Sequence, residues 1–139
     1  MSGIRGKDTL PEISVRKALF AAGYRFRLHC RELPGRPDIV LVSRRVAVFV
    51  HGCFWHGHAG CRLAKMPSTR PGFWQEKFDA NRRRDSAAQA ALVSSGWRVL
   101  VVWECLIRSL KGQNELKAVL GGWIESTEIQ GELSALDEQ

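Results

Sequence analysis

Val46-Ala47-Val48-Phe49-Val50-His51-Gly52-Cys53-Phe54-Trp55-His56-Gly57-His58-Ala59-Gly60-Cys61 is the stretch on which the reading of the fold turns. Its first five residues contain no polar position and are mostly β-branched or aromatic, as in a strand buried on both faces. The pattern then stops. The eleven residues from His51 to Cys61 hold three of the four histidines and two of the four cysteines of the chain. Periodicity does not return before Gly72, and a loop of that length in a small domain is functional or is held by something other than a core.

Working outward, Asp38 opens a second apolar run, Ile39 to Val42, joined to the first by a Ser43-Arg44-Arg45 turn. Before it lies a Pro- and Gly-rich bend, Leu33 to Pro37. Before that, Tyr24, Phe26 and Leu28 alternate with Arg25, Arg27 and His29, the period of a half-buried strand. Thr9-Leu10-Pro11-Glu12 reads as a capping box opening a helix, with Val15, Ala18, Leu19 and Ala22 on one face and Gly23 as its stop. Downstream, Phe73 to Ser95 is helical and closed by Gly96. Trp97 to Trp103 reads as another buried strand, and a last helix covers Glu115 to Ile124. The order α-β-β-β-α-β-α predicts an α/β domain over residues 1–124, a central mixed β-sheet flanked by helices. Residues 125–139 are expected to form an acidic, flexible tail, loose or weakly helical.

At 139 residues with 45% hydrophobic and 25% charged content, the chain is one packed domain and not a disordered one. No apolar run approaches the ~20 residues of a membrane span, and the first residues lack a signal-peptide pattern. A soluble cytoplasmic protein is expected. Its charge is more informative. Lys and Arg number 21 against 14 Asp and Glu, and five of those acids fall in residues 125–139, which contain no base. Residues 1–124 therefore carry 21 bases against 9 acids, a net +12. Such an excess points to a polyanion, with nucleic acid the first candidate.

Four cysteines without a secretion signal, three of them near histidines, favour metal over disulfides. Cys53, His58 and Cys61, with Cys105 placed directly after the Trp97–Trp103 strand, form a workable tetrahedral Cys₃His set for Zn²⁺. Cys30 has no such neighbours and reads as a packed thiol. His51 and His56 remain as spare ligands, hydrogen-bonding groups or general acid–base groups. Asp38 is either a turn residue or, at a strand start, a ligand for a hard cation. Phe54 and Trp55 are adjacent in a Gly-flanked loop and cannot both turn inward easily, so one or both can be presented to a partner as an apolar wedge.

Pro34-Gly35-Arg36-Pro37-Asp38, the Phe49–His56 block, Arg70-Pro71-Gly72-Phe73-Trp74, Asn81, Arg84-Asp85 and the Gly96–Cys105 block together resemble the very-short-patch-repair (Vsr) endonucleases, over about residues 4–124. The resemblance implies a restriction-endonuclease-like α/β fold with a structural zinc site. It implies a Mg²⁺-dependent enzyme that nicks one strand of duplex DNA 5′ of the thymine in a T·G mismatch, starting repair of deaminated 5-methylcytosine. By that resemblance Asp38 is the Mg²⁺-binding aspartate, the Val50 carbonyl a further Mg²⁺ contact, and His56 the general base. His51, Glu12 and Asp85 support the active site; Cys53, His58, Cys61 and Cys105 hold zinc; Phe54, Trp55 and Trp74 wedge into DNA. The expected partner is mismatched double-stranded DNA, with mismatch-repair proteins as further candidates, for a monomer in the bacterial cytoplasm at the nucleoid. Only seven residues precede Asp8, where the family carries a longer DNA-embracing arm, so the aromatic wedge is expected to carry more of the recognition. Two alternatives remain at this point: a nuclease of the same fold with different or relaxed targets, and a zinc-stabilised DNA-binding module with weak catalysis.

Overall fold

The computed structural model describes residues 9–54, 56, 58, 60–64 and 67–135. Along the chain come α1 (Leu10–Ala21), β1 (Arg27–Leu28), β2 (Ile39–Leu41), β3 (Val46–His51), α2 (Pro71–Ser94), β4 (Arg98–Trp103), α3 (Glu104–Ser109), α4 (Gln113–Ile124) and β5 (Gln130–Leu133). These strands form one mixed sheet in the order β1-β2-β3-β4-β5. The first two pairings are antiparallel and the last two parallel. The α/β expectation of a single domain, a mixed sheet flanked by helices, is what the chain adopts. Among the described residues no helix is long and apolar enough to cross a membrane.

The unbroken apolar runs of β3 and β4 are explained by burial on both faces of the sheet. Val46, Val48, Leu100 and Val102 point to one side, where α1, α3 and α4 cover them with Val15, Leu19, Leu106, Leu116, Leu120 and Trp123. Ala47, Phe49, Val99, Val101 and Trp103 point to the other, where Leu92 of α2 packs. Each fully buried side chain of this size contributes about 1.5–3 kcal/mol. Parallel neighbours need a crossover, and α2 supplies it between β3 and β4.

The start of α1 follows the sequence reading: Thr9 Oγ1 accepts the Glu12 N–H at 3.4 Å, and Gly23 ends the turn at φ +95°. Val15, Ala18 and Leu19 are buried, whereas Ala22 is the exposed C-cap. The strand expected over Tyr24–Leu28 shrinks to Arg27–Leu28, both exposed, because β2 offers only three residues to pair with. Helix α3 escaped the sequence reading because six residues are too short to display a helical period.

The larger correction concerns the tail. Residues 130–133, assigned by composition to a flexible segment, form β5 along the outer edge of β4. One side chain secures the approach. Arg98 donates to the carbonyls of Glu128 at 2.8 Å, Ile124 at 2.9 Å, Ser126 at 3.0 Å and Trp123 at 3.2 Å, while its guanidinium lies over the Trp123 ring. A single cation thus gathers four carbonyls at and beyond the end of α4. Replacing Arg98 by Met keeps the aliphatic stem and removes these bonds, so it should lower stability by about 2–4 kcal/mol. Urea unfolding followed by circular dichroism measures this, and a loss below about 0.5 kcal/mol would show that β5 stands on its strand pairing alone.

Candidate active site and metal centre

Two groups of chemically active side chains meet at the C-terminal ends of β3 and β4. In the first, the ligand atoms of Cys53, His58, Cys61 and Cys105 all lie within 4.8 Å of one another. The loop expected to lack structure is a series of tight turns that aim these atoms. The His58 N–H donates to the Cys53 carbonyl at 2.9 Å, the Cys61 N–H to the His58 carbonyl at 3.3 Å, and the Ala64 N–H to the Cys61 carbonyl at 3.0 Å. Gly60, at φ +72°, makes the reversal before Cys61. Cys105 enters from the first turn of α3, and its N–H donates to Cys53 Sγ at 3.3 Å.

His58 Nδ1 lies 3.6 Å from Cys105 Sγ. That spacing is about the S···N edge of a tetrahedron whose centre is ~2.3 Å from sulfur and ~2.0 Å from nitrogen. The donor set therefore suits a tetrahedral cation. Burial pushes the Cys53 and Cys105 thiols above their ordinary range, so without a cation both are neutral. A divalent cation among them reverses this, since its charge favours the thiolates. Cys30 is half-buried and lies outside the group.

The second group begins with Asp38, which immediately precedes β2. Its Oδ2 accepts the Val50 N–H at 2.8 Å. Burial, reinforced by the nearby Glu12 charge, raises the Asp38 carboxyl from 3.8 to about 7, against the opposing pull of that N–H. Glu12 reaches the same place from α1. It is 2% exposed, on the helix face that carries Val15 and Leu19, and its Oε2 meets His29 Nε2 at 2.7 Å and Arg16 Nη2 at 2.5 Å. Glu12, His29 and Asp38 thus form a close cluster of donors, and its carboxylate oxygens suit a hard cation.

Beside it, His56 Nδ1 pairs with Asp85 Oδ2 at 2.7 Å, bringing the loop and α2 together. Burial alone would raise the Asp85 carboxyl, but the bond from His56 and the positive groups around it outweigh burial and hold it below its ordinary value. His51, the last residue of β3, stacks on His56 with ring centroids 3.7 Å apart and planes 4° from parallel. Burial, with His56 beside it, lowers the His51 pKa from 6.5 to about 3, so His51 is neutral in the working range. A neutral ring against the face of His56 lets His56 carry a proton without like-charge repulsion. With Nδ1 bound to Asp85, Nε2 becomes the nitrogen of His56 that can take a proton. A cavity of about 390 Å³, lined by Arg36, Arg84, His51 and Asp85, opens beside this pair.

The structure thus brings Asp38, Val50, Glu12, His51, His56 and Asp85 into one neighbourhood, and the Cys/His set into another. Phe54 is half-buried, edge-on to Trp74 at 5.4 Å and to Phe78 at 5.3 Å. Trp55, singled out as a wedge, lies outside the described residues. Sequence reasoning missed His29, Arg16 and Trp103. The signal for His29 was its position at the end of the β1–β2 hairpin, where its N–H donates to the Asp38 carbonyl at 3.0 Å. Trp103 stacks on His58 at 3.9 Å, and its signal was its place two residues before Cys105.

Carboxylate oxygens near a histidine–aspartate pair suit cation-assisted hydrolysis, and similarity to known proteins gives the class of enzyme. A sequence profile described as DNA mismatch endonuclease Vsr matches residues 1–62. The type II nicking enzyme V.XorIIP of Xanthomonas oryzae is 54% identical over 110 residues, which are 79% of this chain and 80% of that relative. The DNA mismatch endonuclease Vsr of Escherichia coli is 45% identical over 108 residues, 78% of this chain and 69% of that protein. The type II nicking enzyme V.NmeAIP of Neisseria meningitidis is 42% identical over 109 residues, covering 78% and 77%. The protein is therefore a DNA-nicking endonuclease, with DNA as its partner. It belongs to the Vsr family.

The raised Asp38 carboxyl has a consequence for stability. Its unfolded form releases a proton first, so the native state loses stability as pH rises from about 4 to about 7, and the deficit is complete above that. Without added Mg²⁺, Asp38→Asn should melt roughly 5 °C above the wild type at pH 8 and level with it near pH 4. Calorimetry at the two pH values checks this; an identical gap at both would show that the carboxylate is not destabilised by burial.

Proposed function

We propose that this endonuclease nicks one strand of duplex DNA 5′ of the thymine of a T·G mismatch, on a restriction-endonuclease-like scaffold, and so initiates very-short-patch repair of deaminated 5-methylcytosine. The observation that carries the reading is the His56–Asp85 pair near the Asp38 and Glu12 carboxylates, close enough for the charge of His56 to act on Asp38. Asp38 and the Val50 carbonyl would hold Mg²⁺, which when bound supplies charge neutralisation at the scissile phosphate. His56 takes the proton of the attacking water at Nε2, while Asp85 fixes the ring and the neutral His51 supports the imidazolium. Glu12, clamped by Arg16 and His29, keeps the carboxylate cluster negative enough to attract a cation. Cys53, His58, Cys61 and Cys105 would hold a Zn²⁺ whose four positions are all filled by protein, a structural role.

Recognition rests on two terms. The basic surface gives salt-sensitive, sequence-blind affinity through phosphates. Aromatic insertion between bases then selects a mispaired step, which costs less to unstack than a paired one. Phe54, Trp55 and Trp74 are the candidate wedge. Because Phe54 is packed against Trp74 and Phe78, its replacement should cost stability as well as activity, whereas Trp55 carries the greater share of the stacking. We assign the protein as a monomer in the bacterial cytoplasm, at the nucleoid, with mismatch-repair proteins as further partners.

End-labelled duplexes carrying T·G, other mismatches or none, incubated with Mg²⁺ or EDTA, test the reading. Nicking should be confined to the T·G duplex in Mg²⁺; equal nicking of matched duplex would overturn the specificity. Asp38→Ala should abolish nicking while DNA binding persists, and His56→Ala should slow it about 10²–10⁴-fold. Wild-type rates in both variants would sink the assignment of the active site. Metal analysis of protein purified without added zinc should give about one equivalent per chain. Folded, active protein with none would refute the zinc.

A further inference from the structure

Trp103 occupies a position that neither the catalytic nor the metal-binding reading uses. It ends β4, directly opposite His51 in the β3–β4 register, and is 8% exposed. Its indole touches three histidines. It lies flat on His58, with centroids 3.9 Å apart and planes 5° from parallel. It stands edge-on to His51 at 5.1 Å and to His56 at 6.2 Å. One ring therefore sets the plane of a metal-ligand histidine and forms the wall behind both histidines of the active site.

The torsion that orients an indole about its stem is broad and does not hold an angle by itself. What holds this one is a bond at the far end of the ring: Trp103 Nε1–H donates to Glu132 Oε1 at 2.8 Å. Glu132 belongs to β5, opposite Val101 in the β4–β5 ladder. The strand is itself tied to α2, since Gln130 Nε2 donates to Gln89 Oε1 at 3.0 Å. A cavity of about 260 Å³ runs between these groups, bordered by His51, His56, His58, Asp85, Trp103 and Glu132. With space on that side, packing alone leaves the indole room to tilt.

We propose that Glu132 is a positioning residue for nicking: it fixes the Trp103 ring and, through it, the angles of His56 and His58. The C-terminal segment then belongs to the active site, although it contributes no group to the chemistry. The inference rests on the role proposed for His56 and on the endonuclease activity itself, not on mismatch specificity.

Single-turnover nicking of wild type, Glu132→Ala, Glu132→Gln, Trp103→Phe and the Trp103→Phe/Glu132→Ala double variant tests it, with zinc content and melting measured alongside. Small misplacements at an active site cost up to about 10²-fold, so Glu132→Ala should lower the maximal rate roughly 10-fold and leave the half-saturating DNA concentration unchanged. Glu132→Gln keeps the acceptor and should recover most of the rate. On the Trp103→Phe background, which lacks the indole N–H, Glu132→Ala should have no further effect. Exchange of the Trp103 indole proton, followed by NMR, should be slow in wild type and Glu132→Gln and fast in Glu132→Ala. The proposal is overturned if Glu132→Ala nicks at the wild-type rate, if Gln fails to restore it, if the two substitutions add, or if the rate falls only in step with lost zinc or lost fold. Indole exchange in the protein alone reports the Trp103–Glu132 bond whether or not the reading of His56 holds. Slow exchange in wild type with normal nicking by His56→Ala would therefore put the failure in the assignment of His56, not in the brace.

Discussion

The parallel ladder between β3 and β4 is the constraint on which the rest depends. Six residues of each strand are in register, from Val46 opposite Arg98 to His51 opposite Trp103. Because the strands run the same way, both release the chain at the same end of the sheet, side by side. His51 and Trp103 end abreast, so the residues that follow, Cys53 and Cys105, are brought within bonding distance although 52 positions apart. Antiparallel pairing would have sent one of these exits to the opposite end. Parallel pairing also demanded a crossover, and the helix that makes it carries Asp85 back over the sheet to His56. One topological choice thus assembles the candidate metal ligands and the histidine–aspartate pair.

Burial then sets the electrostatics of what the ladder assembles. His51 is driven neutral and Asp38 is driven toward protonation by the same cause, removal of the charged form from water. Asp85 escapes because His56 offers it a hydrogen bond and charge at once. The neighbourhood therefore holds one destabilised carboxylate, one neutral ring and one paired acid, and each state follows from its contacts. A cation bound at Asp38, as proposed, would relieve the destabilised member. That coupling would leave the metal-free cluster poised to bind, at a cost in fold stability that rises with pH.

Much of this was legible in the sequence, for identifiable reasons. The buried strands announced themselves because Val46–Val50 and Val99–Val102 carry no polar residue, and α1 because Thr9 and Gly23 mark its ends. Cys53, His58 and Cys61 were legible as a donor set from density and spacing, which are local properties, and Cys105 from its place directly after a buried strand. What was not legible depends on pairing. β5 reads as an acidic tail, since Gln130-Gly131-Glu132-Leu133 has no strand composition and becomes a strand only through the bare edge of β4 and the carbonyls gathered by Arg98. His29 looked like the polar half of an alternating strand. Only the hairpin register that sets it against Asp38 turns it toward Glu12. The stacking of His51 on His56 has no sequence signal, because it is a consequence of where the loop returns.

The two donor groups also differ in kind, and under the proposed reading the difference would keep two cations apart. Three sulfurs and one imidazole favour a soft or borderline ion in a tetrahedral cage, and the tight turns from Cys53 to Ala64 leave that cage little freedom to expand. The Asp38 and Glu12 carboxylates favour a hard ion of higher coordination number, which retains waters that can be exchanged for phosphate oxygens. Between the two groups stand His51 and His56, one ring neutral by burial and the other bound through Nδ1 to Asp85. His51, His56 and Asp85 bring their own ligand atoms within 4.8 Å of one another, and under the proposed mechanism His56 would use Nε2 for proton transfer. The fold thus sets a sulfur-rich and an oxygen-rich donor set, which suit ions of different kinds, within the reach of two adjacent strand ends.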